Sequence, residues 1–134
     1  MFAIPHADVP LRCINEAAIE QHIPARLIIS LLSVERGRNG KVEVNKNGTY
    51  DIGPMQINSS WLPDLKKYGI TREDIQFNPC INVKVGAWIA AKFIASESNL
   101  LTGIGDYNSH TKKFNQAYYQ KVRIYFTKLN NFIN

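Results

Sequence analysis

The chain has 134 residues, 45% of them hydrophobic, enough for one domain around one core. No apolar run approaches the ~20 residues that span a bilayer, so membrane insertion is not expected. The net charge of +5 favours anionic partners such as a bacterial cell wall, nucleic acid or acidic lipid. The lysines, however, fall in short pairs (Lys66-Lys67, Lys112-Lys113), and no recognition helix or aromatic-basic sheet points to nucleic acid.

The start, "MFAIPHADVP", lacks the basic and long apolar regions of a signal peptide, while "PHA" resembles the small-residue end of a cleaved one. Residues 1–9 read as an irregular segment of a single domain spanning 1–134. Residues 10–22 form a first helix with Pro10 near its start. Pro24 opens a second, which Gly37 terminates. Between 38 and 53, two Asn-Gly pairs bracket the alternating "KVEV", and the second precedes "TYDI", predicting a small β-hairpin lobe.

Helix then returns. "SSWLPDLKKYG" holds one or two short turns, and Thr71 with Asp74 makes a capping-box start. Asn78-Pro79 begins an apolar helix over roughly 79–96, whose Val83, Val85, Ala87, Trp88, Ile89, Ala90, Phe93 and Ile94 cover almost every face. A helix apolar all round belongs at the centre of a domain. A last helix begins near Asn115, with Phe114, Tyr118, Val122, Tyr125, Phe126 and Leu129 as its inward stripe. The fold class is therefore mainly α (α+β): a helical domain with a small β-hairpin lobe and a central buried helix.

Cys13 and Cys80 leave two readings open, a pair of inert buried thiols or one disulfide closing a long loop. His6, His22 and His110 are scattered, and no metal-site spacing occurs, so no metal is expected.

Four stretches carry chemistry. In "ISLLSVERGRNG", Glu35 follows Leu31 and Leu32 at helical spacing, which puts a carboxylate on the buried side of its own helix. Desolvation there raises the pKa and keeps the group protonated near neutrality, as a general acid requires. A solvent-facing glutamate paired with Arg36 or Arg38 is the plainer alternative. In "DIGPMQINSSW", Gly53 and Pro54 fix a tight turn, and Gln56, Asn58 and Ser59 set polar groups beside Met55 and Trp61, a mixture suited to sugars; a hydrogen-bonded turn explains it equally well. "GDYNSHT" is a loop between two helices, and Tyr118 is a buried aromatic whose hydroxyl needs a partner.

Taken in order, Glu35 near a helix end, "GPMQIN", "YN", and a tyrosine four residues before Val122 resemble the lysozyme-like (SLT-type) lytic transglycosylase domain. "NGTYDIGPMQINSSW", with Cys13 and with Cys80 in "NPCINVKVGAW", most resembles its small branch attached to conjugation, type III secretion and pilus machinery. The resemblance implies a lysozyme-like fold and cleavage of peptidoglycan without a cofactor. It makes Glu35 the catalytic acid and base, lines the sugar cleft with Met55, Gln56, Asn58, Ser59, Tyr107 and Asn108, and sets Tyr118 against the glutamate. It also implies a Cys13–Cys80 disulfide, a periplasmic monomer, and partners in a secretion, conjugation or pilus apparatus. Two departures stand out: Arg36 where many relatives carry serine, and Asp106 where many carry alanine. Arg36 should point to solvent, because neighbours on a helix do not face each other.

The same run is similar to animal-type lysozymes, where Asp51 would occupy the place of a second carboxylate. A retaining hydrolase needs two carboxyl groups about 5 Å apart; transglycosylation needs one. Asp51 is thus either catalytic or a cap on the turn beside "NGTY". A non-catalytic wall-binding assembly protein is the remaining alternative.

Overall fold

A computed structural model describes residues 8–97, 100–109 and 112–133. The irregular segment expected at 1–9 lies outside them up to residue 7; Asp8 accepts a hydrogen bond from the Asn39 backbone at 2.6 Å.

Helix α1 (Leu11–Gln21) leaves an extended Pro10 and ends at His22, whose backbone turns left-handed. Helix α2 (Ala25–Glu35) follows an extended Pro24 and buries Leu27, Ile28, Leu31 and Leu32. Ser30 and Ser33 are buried on it without loss because each hydroxyl donates to the carbonyl four residues back, at 2.7 Å. The expected terminator, Gly37, is not the left-handed residue. Arg36 takes that conformation (φ 54°), its N–H closing on Leu32 O. Gly37 serves close approach: a Cβ there would lie 2.1 Å from the Gly53 carbonyl oxygen.

The lobe is a three-stranded antiparallel sheet in the order β1 (Val42–Val44), β2 (Tyr50–Ile52), β3 (Ile57–Asn58). Glu43 pairs with Asp51, and Asp51 in turn with Asn58. The second Asn-Gly pair sits in the β1–β2 turn, closed by Asn45 N–H to Thr49 O at 2.8 Å. Strand β3, only two residues long, carries no alternation and was not anticipated.

A 3₁₀ turn at Ser59–Trp61 leads into α3 (Leu62–Lys66). Helix α4 (Arg72–Phe77) has the complete Thr71–Asp74 capping box. Helix α5 (Pro79–Ser96), capped by the Asn78 side chain, runs through the middle and packs against α1, α4 and β3. Two further helices complete the body: α6 (Leu100–Asp106), absent from the sequence reading, packs on α5, and α7 (Lys112–Ile133) packs on α2 and α6. Helix α7 begins three residues ahead of Asn115, and its buried face is Asn115, Tyr118, Val122 and Leu129. Phe114, expected on that face, is 55% exposed.

Cys13 and Cys80 are bonded, tying the start of α1 to the first turn of α5. Among the described residues no helix is long and apolar enough to cross a membrane.

Candidate functional site

Glu35 is the last residue of α2, half-buried on the same face as Leu31 and Leu32. The left-handed Arg36 turns the chain away after it, and the Arg36 side chain is exposed, as expected. Tyr118, reaching across from α7, donates its hydroxyl to Glu35 Oε2 at 2.5 Å. Burial pushes the Glu35 pKa up from 4.5 to about 7. The Tyr118 hydrogen bond opposes that rise, whereas the charges of Asp51 and Glu43 add to it. Burial holds the Tyr118 phenol well above its ordinary range, so it remains a donor.

A cleft of about 400 Å³ opens beside Glu35. Its walls bring together Asp51, Gln56 and Asn58 from the lobe with Tyr107 and Asn108 from the end of α6, and with Trp61 and Phe93 at one side. Asn58 Nδ2 donates to Asp51 Oδ1 at 3.0 Å and to Thr49 Oγ1 at 3.1 Å. In the turn before Asp51, Asn47 Oδ1 accepts the Thr49 N–H. Asp51 faces the cleft from mid-strand.

The turn between β2 and β3 is held from beneath. Asn82, fully buried on α5, donates to Ile52 O at 2.9 Å and Ile75 O at 3.0 Å, and accepts from Met55 N at 2.8 Å. Gln56 sits in the left-handed region (φ 51°), a conformation that costs a non-glycine residue about 1 kcal/mol or more. Its amide nitrogen donates to Gly53 O at 3.1 Å, which keeps the side chain against the turn at the cleft floor.

Tyr107 donates to Met55 O at 2.9 Å, closing the cleft across 52 residues of sequence. Its ring stacks on Tyr118 with centroids 6.3 Å apart. Asp106 and Asn115 brace that corner: Asn115 Nδ2 donates to Asp106 Oδ1 at 2.7 Å. "GDYNSHT" is thus not wholly loop. Gly105 and Asp106 end a helix, Asp106 is buried, and His110 and Thr111 lie outside the described residues.

Two residues expected in the cleft wall, Met55 and Ser59, are placed elsewhere. Met55 is fully buried, with α5 approaching so closely that a Cβ on Gly86 would lie 2.7 Å from its side chain; only its backbone serves the site. Ser59 Oγ accepts from Tyr50 N at 3.1 Å and does not line the cleft. Tyr118 stands against Glu35, behind the cleft wall. Asn82 and Asn115 were missed. The signal for Asn82 was present, since an amide inside an otherwise apolar central helix must find buried partners. Among the described residues no three metal-ligating side chains converge.

The arrangement can protonate a bridging oxygen: a half-desolvated acid titrating near neutrality, a neutral donor fixing it, and amides along an open groove. Comparison with known proteins agrees in kind. Residues 12–124 match the Transglycosylase SLT domain family. A "Peptidoglycan-binding-like protein" of Escherichia coli O157:H7 is 34% identical over 91% of this chain and 80% of its own length. "Protein IpgF" of Shigella flexneri is 32% identical over 81% of this chain and 71% of its own. "Invasion protein IagB" of Salmonella typhimurium is 33% identical over 67% and 57%. The helical body with its small antiparallel lobe is the lysozyme-like architecture that the sequence motifs implied.

Proposed function

Since the chain belongs to the Transglycosylase SLT domain family, we propose that it is a peptidoglycan lytic transglycosylase in which Glu35 is the sole catalytic acid and base. The observation that carries this reading is the desolvated Glu35, raised to about 7 and held by Tyr118 at the edge of an amide-lined cleft. In the first step protonated Glu35 gives its proton to the oxygen bridging MurNAc C1 to GlcNAc, and that C1–O bond breaks. The sugar's own acetamido oxygen stabilises C1. The Glu35 carboxylate, now accepting from Tyr118, then takes the proton of the muramyl 6-hydroxyl, whose oxygen attacks C1 and closes a 1,6-anhydro ring. No water is consumed and the acid is regenerated. A pKa near 7 suits both half-steps, because acid and base forms are each accessible at neutral pH.

Gln56, Asn58, Tyr107 and Asn108 would orient the strand. The disulfide and a wall substrate support action outside the cytoplasm, in the periplasm. Service to a secretion, conjugation or pilus apparatus rests on the motif resemblance of "NGTYDIGPMQINSSW" and "NPCINVKVGAW", and one relative is named an invasion protein.

Purified peptidoglycan tests the assignment. Wild type should release soluble fragments, and Glu35→Gln should bind the wall and release none. A Glu35→Gln variant that cleaves contradicts it. Two other readings have an observation each. Asp51 in the same cleft favours a hydrolytic lysozyme with two carboxylates, and the peptidoglycan-binding-like relative from Escherichia coli favours a wall-binding protein. The binding reading requires wild type also to bind without release.

A further inference from the structure

Outside the cleft, an apolar groove of about 380 Å³ lies between α1, the α3–α4 connection and α5, with Leu65 and Val85 at its base and Tyr68 and Trp88 on its rim. It is not isolated from the cleft. Phe93 and Trp61, in the cleft wall, have ring centroids 5.9 Å apart; Trp61 lies 5.8 Å from Trp88, and Trp88 lies 6.1 Å from Tyr68. The four rings form a continuous band that starts in one depression and ends in the other. Their planes cross at 68–72°, edge to face, so no pair is stacked. Tyr68, at the far end, is 70% exposed.

We propose that this groove is a distal glycan-binding surface that takes the continuation of the strand seated in the cleft. The inference rests on the reading of the cleft as a glycan site. Aromatic rings suit a polysaccharide because each pyranose presents an apolar C–H face while its hydroxyls stay in water, so a groove with few polar groups can hold it. The polar groups present agree with this. The Lys84 ammonium is already engaged by Glu16 at 3.2 Å and Glu20 at 3.5 Å, and the Gln21 side chain lies at the edge. Lys92 adds a cation 4.9 Å from the Trp88 ring centroid, which favours the carboxylates that a wall strand carries, lactyl ones where the stem peptides are absent. A strand leaving the cleft over Trp61 meets apolar ring surface along this path.

The test is binding to peptide-free peptidoglycan strands of two lengths, in a Glu35→Gln background that does not cut them. The short probe is a tetrasaccharide that fills the cleft alone; the long probe extends past it. Tyr68 is exposed and its removal leaves the core intact, so Tyr68→Ala should weaken the long strand about fivefold or more and leave the tetrasaccharide unchanged. Tyr68→Phe, which keeps the ring, should restore the long-strand affinity. Undiminished binding of the long strand to Tyr68→Ala, or equal weakening of both probes, overturns the groove and leaves the cleft reading intact. Failure of the Glu35→Gln parent to bind either probe removes the cleft reading and the groove with it.

Discussion

The Tyr118 hydroxyl donates to Glu35 Oε2 at 2.5 Å, joining residues 83 positions apart. The contact does two things at once: it fixes the carboxyl at the cleft edge, and it favours the ionised form against the burial that opposes it. Tyr118→Phe keeps the ring and its stacking on Tyr107 but removes the donor. The Glu35 pKa should then rise above about 7, moving the alkaline limb of kcat/KM to higher pH. The carboxylate formed during bond cleavage also loses a charged hydrogen bond, so kcat should fall about tenfold or more. A pH–rate profile decides it; a lower rate with an unmoved limb would mean that the hydroxyl positions Glu35 without shifting its titration.

Glu35 weakens the fold above neutrality. Its folded pKa of about 7 exceeds the ordinary 4.5, so between those values the folded protein keeps a proton that the unfolded chain has lost. Stability therefore falls as pH rises through that window, and the full penalty applies above about pH 7. Glu35→Gln should stabilise the protein by about 3 kcal/mol above the window and by nothing below it. Denaturant titrations on either side of the window measure the difference. An equal effect at both ends would mean that burial of the charge is not the cause.

Asn82 supports the floor of the cleft from α5. Its replacement by alanine leaves Met55 N, Ile52 O and Ile75 O buried without that partner, a loss of about 3 kcal/mol or more. Since the same turn positions Gln56 and the Met55 carbonyl that holds Tyr107, glycan cleavage should drop with stability. Asn82→Ala of full stability and activity would show that the turn holds itself.

The Cys13–Cys80 bond spans 67 residues of sequence. By loop-closure entropy it contributes about 4 kcal/mol, so a Cys13→Ser, Cys80→Ser double variant should unfold at markedly lower denaturant. The wild-type protein under reductant should match it. Coincident transitions for oxidised and reduced protein would contradict this.

Much of this architecture was legible because local chemistry agrees with the fold. Pro10, Pro24, the Thr71–Asp74 box and Asn78-Pro79 each begin a helix where the sequence places one. The placement of Glu35 was legible for the same reason: helical spacing alone puts it on the buried face. What stayed hidden depends on distant contacts. Gly37 reads as a helix terminator, yet its lack of a side chain answers the Gly53–Pro54 backbone packed against it. Met55 reads as cleft surface beside Gln56, but Gly86 on another helix makes room to bury it. Helix α6 contains two glycines in seven residues and carries little helical signal of its own; packing on α5 and α7 supports it. Phe114 lies near the start of α7 and falls off the face that its neighbours bury.

The central claim is that one carboxylate suffices, and the identity of the sugar ends tests it most directly. Mass spectrometry of fragments released from purified peptidoglycan, by wild type and by Asp51→Asn, should find muramyl ends lighter than ordinary reducing ends by one water. Both proteins should give the same anhydro product, with Asp51→Asn still active. Hydrated reducing ends from wild type, lost in Asp51→Asn, would contradict the account and make Asp51 the second catalytic carboxylate of a hydrolase.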